Sequence, residues 1–212
     1  MIPKTQVKRD AAPANLLRAP YLKRRVHWRL MKTYLLFATF SVFLLGGCAN
    51  PLNRMTSDRY AETCSIAENN RNLSVAEEAC YRALVNVDIG NLGPELKSQK
   101  LYNLGRVKRQ SAKFWEAEQL FKESLSIEEK LSGPTDPKIG RRLVELSVSL
   151  AAQNKWSEGA QFLDRAFPTA EFFSGRERAY FAEALEIYAE QFRKENQLQL
   201  AERFESKAKA MK

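Results

Sequence analysis

Apolar side chains recur at helical spacing along most of the chain after residue 58. Leu101, Leu104 and Val107 form one apolar stripe. A second stripe follows a short polar turn and consists of Ala117, Leu120, Phe121 and Leu125. Residues three and four positions apart share one face of a helix, so each stripe predicts an amphipathic helix. Asp136 followed by Pro137 predicts a helix start. No alternating strand pattern stands out in this region, and we predict an all-α protein.

This helical pattern repeats along the chain. At an offset of 42 residues, Leu101–Gly105 aligns with Leu143–Ser147, and Lys113–Ala117 aligns with Lys155–Gly159. Weaker matches at offsets of 41 residues upstream and 84 residues downstream add one unit on each side. Each unit contains two stripes joined by a short turn. A fixed period of this length is typical of stacked helical hairpins, and we expect about four of them.

The small and large apolar residues of the second unit resemble the tetratricopeptide repeat (TPR). The positions that carry the resemblance are Leu101, Leu104, Gly105, Ala117 and Phe121. The period of 42 residues and the loop at 133–137 (Gly-Pro-Thr-Asp-Pro) are similar to the kinesin-light-chain subtype. The resemblance covers roughly residues 58–209 and is strongest at 97–167. It implies a right-handed α-solenoid of about four hairpins.

The third unit departs from the repeat pattern at two positions. Ser147 stands where the second unit has Gly105, and Gly159 stands where it has Ala117. The first and last units also fit poorly, as expected for the ends of a stack. An unrelated helical bundle is the alternative fold.

A hydrophobic segment near the start of the chain has the properties of a secretory leader. Residues 34–45 are almost entirely apolar, and Lys32 precedes them. The segment is too short to span a bilayer as a helix but suits the apolar region of a signal peptide. A buried helix or an uncleaved anchor is the alternative. Because Met31 would by itself open a short signal peptide, we expect translation to begin there, with residues 1–30 as a non-native or disordered extension.

The sequence Leu45-Gly46-Gly47-Cys48 resembles the lipobox of bacterial lipoproteins. The resemblance implies a signal peptide at 31–47, cleavage before Cys48, and diacylglycerol and an acyl chain on that cysteine. Residues 48–57 would form a tether and 58–209 the repeat domain. In bacterial lipoproteins, an aspartate directly after the lipidated cysteine would favour retention in the inner membrane. Here that position is Ala49. We therefore expect a lipid-anchored protein at the periplasmic face of the outer membrane.

The charge of the chain is concentrated in the leader. The formal net charge is +9, but nine of the lysines and arginines, against one acidic residue, precede Cys48. From Cys48 onward, 25 basic residues face 24 acidic ones. A nearly neutral domain argues against binding of nucleic acid. His27, the only histidine, also lies in the leader, so the mature part lacks the commonest metal ligand and general base.

In TPR proteins the first helix of each unit lines a concave groove that binds partner proteins. By position, the resemblance assigns eight residues to this groove: Gln99, Tyr102, Arg106, Arg109, Gln110, Arg141, Val144 and Val148. The centre of such a groove would be basic, with aromatic and aliphatic patches. Tyrosine and arginine are common at the centres of protein interfaces. For each residue, a solvated helix face is the alternative.

Two further cysteines remain after Cys48. Cys64 and Cys80 align with Gly105 and Phe121, which face each other inside a repeat hairpin. An oxidising periplasm would permit a disulfide between them. Two buried free cysteines are the alternative.

The sequence contains no recognisable catalytic pattern. There is no phosphate-binding glycine loop, no metal-spaced set of cysteines and histidines, and no nucleophile paired with a base. We expect no enzyme, no catalytic residue, no metal and no cofactor beyond the lipid on Cys48. The expected function is that of a membrane-anchored adaptor that binds a protein of the bacterial cell envelope. A homo-oligomerising structural protein is the alternative; a hydrolytic enzyme and a lipid carrier are weaker ones.

Overall fold

The computed structural model describes residues 50–212, which form an all-α stack of four antiparallel hairpins. The helices are α1 (Pro51–Asn69), α2 (Leu73–Ile89), α3 (Pro94–Gln110), α4 (Phe114–Leu131), α5 (Pro137–Ala151), α6 (Trp156–Ala166), α7 (Gly175–Lys194) and α8 (Leu198–Met211). A 3₁₀ helix at Phe167–Phe172 links α6 to α7. Each helix packs against the next one in the chain. No strand occurs within residues 50–212, so the predicted fold class is confirmed.

Side-chain caps explain where several helices begin. Asp136 accepts a hydrogen bond from Lys138 N at the start of α5, with Pro137 in the first turn, as the sequence predicts. Ser174 and Glu177 form a reciprocal capping box at the start of α7. Gly93 precedes α3 with φ of +96°, a conformation that favours glycine.

The first hairpin begins earlier than the sequence predicts. Asn50 caps α1 by accepting from Leu52 N, and Pro51 occupies the first turn. The buried Ser57 hydroxyl donates to the Ala83 carbonyl of α2 at 2.8 Å. Residues 51–57, which we expected in the tether, therefore belong to the repeat domain. Residues 48 and 49 of that tether, which include Cys48, the signal peptide and Met31 lie outside the described residues.

Close packing inside the hairpins explains the small residues of the repeat. A Cβ on Gly105 would lie 2.7 Å from the ring of Phe121, so glycine lets α3 and α4 approach. In the third unit the glycine is at 159 instead, where a Cβ would lie 1.7 Å from the Tyr188 hydroxyl. That hydroxyl donates to the Ser147 carbonyl at 2.7 Å. The glycine at 159 thus creates space for a side chain from the fourth unit, which bonds to the backbone of residue 147.

Candidate functional site

The first helices of the second, third and fourth hairpins line a cavity of about 390 Å³. Its walls come from α3, α5 and α7 and from the end of the 3₁₀ connection. The lining residues are Tyr102, Arg106, Arg109, Arg141, Val144, Glu145, Phe173, Arg176, Glu177 and Tyr180. We call this cavity the central groove.

Arg109, Glu145 and Tyr180 form a polar triad in the inner part of the central groove. Arg109 Nε donates to Glu145 Oε2 at 2.6 Å, and the Tyr180 hydroxyl lies 3.4 Å from the same oxygen. The guanidinium of Arg109 lies 5.9 Å from the centroid of the Tyr180 ring. Burial, and then the Glu145 charge, raise the pKa of Tyr180. Burial lowers the pKa of Arg109, but Glu145 together with Tyr180 and Tyr102 outweighs it, so the pKa is raised. Tyr180 therefore stays neutral and Arg109 stays charged at neutral pH.

The outer arginines of the central groove differ in how they are paired. Arg106 Nη2 donates to Glu68 Oε1 at 2.6 Å, and Arg141 Nε lies 2.5 Å from Glu177 Oε1. Arg176 is exposed and has no ion-pair partner within residues 50–212. Four arginines and two glutamates line the cavity. The lining therefore carries an excess of basic side chains, but glutamates neutralise much of their charge.

A buried polar cluster of Ser124, Glu128 and Arg142 packs against the Tyr102 ring. Arg142 lies 5.2 Å from the centroid of the Tyr102 ring. Its Nη2 lies 2.9 Å from Glu128 Oε2, and its Nε donates to the Ser124 hydroxyl at 2.7 Å. Burial raises the pKa of Tyr102 to about 12. The cluster ties α3, α4 and α5 together, so the groove floor is held by three helices.

The eight residues that the sequence assigned to the groove fall into four places. Tyr102, Arg106, Arg109, Arg141 and Val144 line the central groove together. The other three are located as follows: Gln99 in an adjoining cavity of about 260 Å³, Gln110 in one of about 490 Å³, and Val148 half-buried against the core. Tyr102 and Arg141 also line the first of these neighbours, and Arg106 the second. Val148 is thus a packing residue in this structure rather than part of these cavities.

Sequence analysis did not assign to the groove the α7 residues that line one of its walls, namely Arg176, Glu177 and Tyr180. Phe173 folds back onto the stack, with its ring centroid 6.0 Å from that of Phe181. Glycine at 140 makes room for it, because a Cβ there would lie 2.8 Å from Phe173 Cζ and 1.8 Å from Thr169 Oγ1. The Ser174-x-x-Glu177 capping pattern was the available signal, since it fixes where α7 starts.

Cys64 and Cys80 lie in α1 and α2, and both are buried. Their sulfurs are at bonding distance, 2.02 Å, and their Cα atoms are 5.2 Å apart, within the range of disulfides. The structure therefore contains a disulfide that crosslinks the first hairpin.

Within residues 50–212, no group of three or more His, Cys, Asp or Glu side chains is placed to hold a metal ion. Two pairs of adjacent acidic residues, at 77–78 and at 128–129, do not form carboxylate dyads. Glu128 pairs with Arg142, and Glu77 pairs with Lys108 and Lys113. In the same part of the chain, no helix combines the length and apolar character that crossing a membrane requires.

Solved structures similar to this chain are helical repeat proteins. BtubC (BKLC) from P. vanneervenii superposes with a TM-score of 0.65 at 16% identity, over 89% of this chain and 74% of that one. A protein of Podospora anserina described as a kinesin light chain with nearly identical TPR-like repeats gives 0.58 at 16% identity, over 73% and 74%. A point variant of that protein gives 0.60 at 16% identity, over 90% and 91%.

Comparison with family models and with curated proteins gives no match. The structural similarities therefore carry the comparison, and at this identity they show the fold. The chain has the fold of TPR-like helical repeat proteins.

Proposed function

We propose that this protein is an adaptor of the bacterial cell envelope, anchored through lipid on Cys48, that binds a partner protein in the central groove. The observation that carries the proposal is the composition of that groove. Tyr102 and Tyr180 supply partly exposed aromatic surface, the buried Val144 and Phe173 pack behind it, and arginines surround it. Tyrosine and arginine dominate the energetics of protein interfaces because they combine large contact area with directed hydrogen bonds.

The groove is also prepared for binding before a partner arrives. The triad of Arg109, Glu145 and Tyr180 and the cluster beneath Tyr102 fix the side chains that form its base. Side chains that are already ordered lose less conformational entropy on association. Arg176 is exposed and unpaired among the described residues, so it is free to meet an acidic group of the partner.

The groove is tested by purifying the tagged, lipidated protein from solubilised envelopes and quantifying the proteins that accompany it. The groove variant is Arg106→Ala with Arg176→Ala. We expect it to lose one specific protein by at least an order of magnitude, because truncation of an arginine that is an interface hot spot costs about 2 kcal/mol or more.

The matched control is Arg82→Ala with Lys130→Ala. Arg106 pairs with Glu68 and lies 6.0 Å from the centroid of the Tyr102 ring. Arg82 likewise pairs with a glutamate (Glu78, 2.6 Å) and lies over a tyrosine ring (Tyr60, 5.6 Å). Lys130, like Arg176, is exposed. Both control residues lie on second helices of their hairpins, outside the central groove. Equal losses from both double variants would contradict a groove-specific interaction.

The anchor is tested by mass spectrometry of the N-terminal peptide from cell envelopes. We expect a peptide that begins at Cys48 and carries diacylglycerol and an acyl chain. Cys48→Ser should leave an unprocessed chain without lipid. A wild-type peptide without lipid at Cys48 would remove the anchor from the proposal and leave the groove to be judged separately.

A further inference from the structure

The outer face of the first hairpin carries apolar side chains that nothing in residues 50–212 covers. Leu52 and Met55 are 70% and 55% exposed, and their spacing places them on one side of the first turns of α1. Ile89, at the end of α2, is 72% exposed. Asn50 N donates to Gly90 O at 3.4 Å, so the end of α2 lies beside the start of α1. We call Leu52, Met55 and Ile89 the anchor-end patch.

The α1 part of this face is the one that a preceding hairpin would cover, whereas Ile89 corresponds at an offset of 41 residues to Lys130, which is exposed in the second hairpin. At an offset of 41 residues, Ile66 of α1 corresponds to Val107 of α3. Val107 is fully buried in the core shared by the first two hairpins, whereas Ile66 is exposed. Between Met55 and Ile66 the same side of α1 carries the exposed charged residues Arg59 and Glu62. The strongly apolar part of the face is therefore confined to the end nearest residue 50.

We infer that the anchor-end patch lies against the lipid bilayer and fixes the orientation of the repeat domain on the membrane. This inference rests on the proposed lipidation of Cys48. Only Ala49 and Asn50 separate that residue from α1. Three residues span at most about 10 Å, so the acyl chains and the first turn of α1 reach the same interface. After cleavage no earlier segment of the chain remains to cover the patch, and the bilayer is the apolar surface within reach.

A membrane-facing patch also fits the chemistry of the surrounding residues. Arg54 follows Leu52 on α1 and is about half exposed beside Asp58. Basic side chains next to apolar ones are favoured at bilayer surfaces that contain anionic lipid. Such contact would limit rotation about the tether and hold the central groove in one direction relative to the membrane.

The test is a polarity-sensitive NBD fluorophore on single cysteines introduced into the lipidated protein. The labelled variants are Leu52→Cys and Ile89→Cys, with Ile66→Cys as the matched apolar control at the far end of α1. The proteins are placed in vesicles of phosphatidylethanolamine and phosphatidylglycerol. We expect higher intensity and emission at shorter wavelength at positions 52 and 89, and no such change at 66.

The outcomes separate this inference from the proposed function. Protein that carries the lipid and stays on vesicles, but shows equal emission at all three positions, overturns the patch and leaves the anchor intact. Protein that carries no lipid overturns the anchor and, with it, the basis of the inference. An emission change that appears without vesicles and grows with protein concentration assigns the patch to a second copy of the chain. One that appears without vesicles and is independent of concentration shows that the chain itself covers the patch. Either result overturns the membrane contact.

Discussion

Single small residues decide how the hairpins fit together. Gly105 admits the ring of Phe121, and Gly159 admits the hydroxyl of Tyr188 from the following hairpin. The sequence shows that 159 departs from the repeat pattern, but it does not show why. Residue 159 is a glycine because the hydroxyl of Tyr188 lies against it and donates to the Ser147 carbonyl. Tyr188 is far along the chain, so no local sequence pattern encodes this contact.

Gly159→Ala should destabilise the fold, because its Cβ would overlap the Tyr188 hydroxyl. We expect the free energy of unfolding to fall by about 1–3 kcal/mol, as for other overpacked cores. Gly133→Ala is the control, because nothing lies within 4 Å of a Cβ there; its effect should stay within about 0.5 kcal/mol. Chemical denaturation followed by circular dichroism measures both.

The partner substitution gives a sharper check on this contact. Tyr188→Phe alone should cost about 1 kcal/mol for the lost hydrogen bond to Ser147. Combined with Gly159→Ala, it removes the overlapping hydroxyl. The double variant should therefore lose less unfolding free energy than the sum of the losses of the two single variants. Strict additivity would mean that the Cβ and the hydroxyl do not compete for the same space.

Ion pairs and a disulfide join helices at the scale of elements. Glu118 of α4 accepts hydrogen bonds from Lys122 on its own helix and from Gln153 and Lys155 after α5. Burial raises the pKa of Glu118, but these three hydrogen bonds outweigh it and lower the pKa to about 2. The carboxylate therefore contributes to the contact between the second and third hairpins only while it is ionised.

Acid should weaken this contact in a defined range of pH. Because the folded pKa lies below the unfolded one, the stabilisation is complete above about pH 5 and is lost as pH falls toward 2. Its size is at most about 3 kcal/mol, since solvent screens the partly exposed lysines. Glu118→Gln should flatten the decline of the unfolding free energy over this range, and exposed Glu62→Gln should not. Parallel curves for wild type and Glu118→Gln would contradict the assignment.

The disulfide between Cys64 and Cys80 stabilises the first hairpin by joining its two helices. It closes a loop with a sequence separation of 16, for which crosslinking contributes about 3 kcal/mol. We expect no free thiol in the unreduced mature protein and a lower unfolding free energy after reduction. Cys64→Ala with Cys80→Ala should be insensitive to reductant. Two free thiols in unreduced protein would show that the bond does not form in the cell.

At the scale of the whole molecule, the periodic sequence predicts the stack and part of the groove. Regular spacing located four hairpins because each helix buries one apolar stripe, and the same spacing placed Tyr102, Arg106, Arg109, Arg141 and Val144 on the first helices. It did not predict what arises between units. Glutamates 68, 145 and 177 pair with groove arginines across hairpins, and a folded-back connection supplies Phe173.

The start of the repeat domain was also placed wrongly, because contacts between helices are not visible in the local sequence pattern. Residues 51–57 lack a strong apolar stripe, so the sequence favoured a tether there. In the structure they form the first turns of α1, because Asn50 caps the helix and Ser57 bonds across to α2. Those early turns also carry Leu52 and Met55, the residues that we infer to face the bilayer.

The most direct test of the central claim is photo-crosslinking in intact cells from the central groove. A photoreactive phenylalanine replaces Arg176 on the groove rim or, as the control, exposed Lys130 on α4. We predict a discrete adduct with one envelope protein from position 176 and none from position 130. Equal adducts from both positions, or adducts only with further copies of this chain, would contradict an adaptor that binds its partner in the groove.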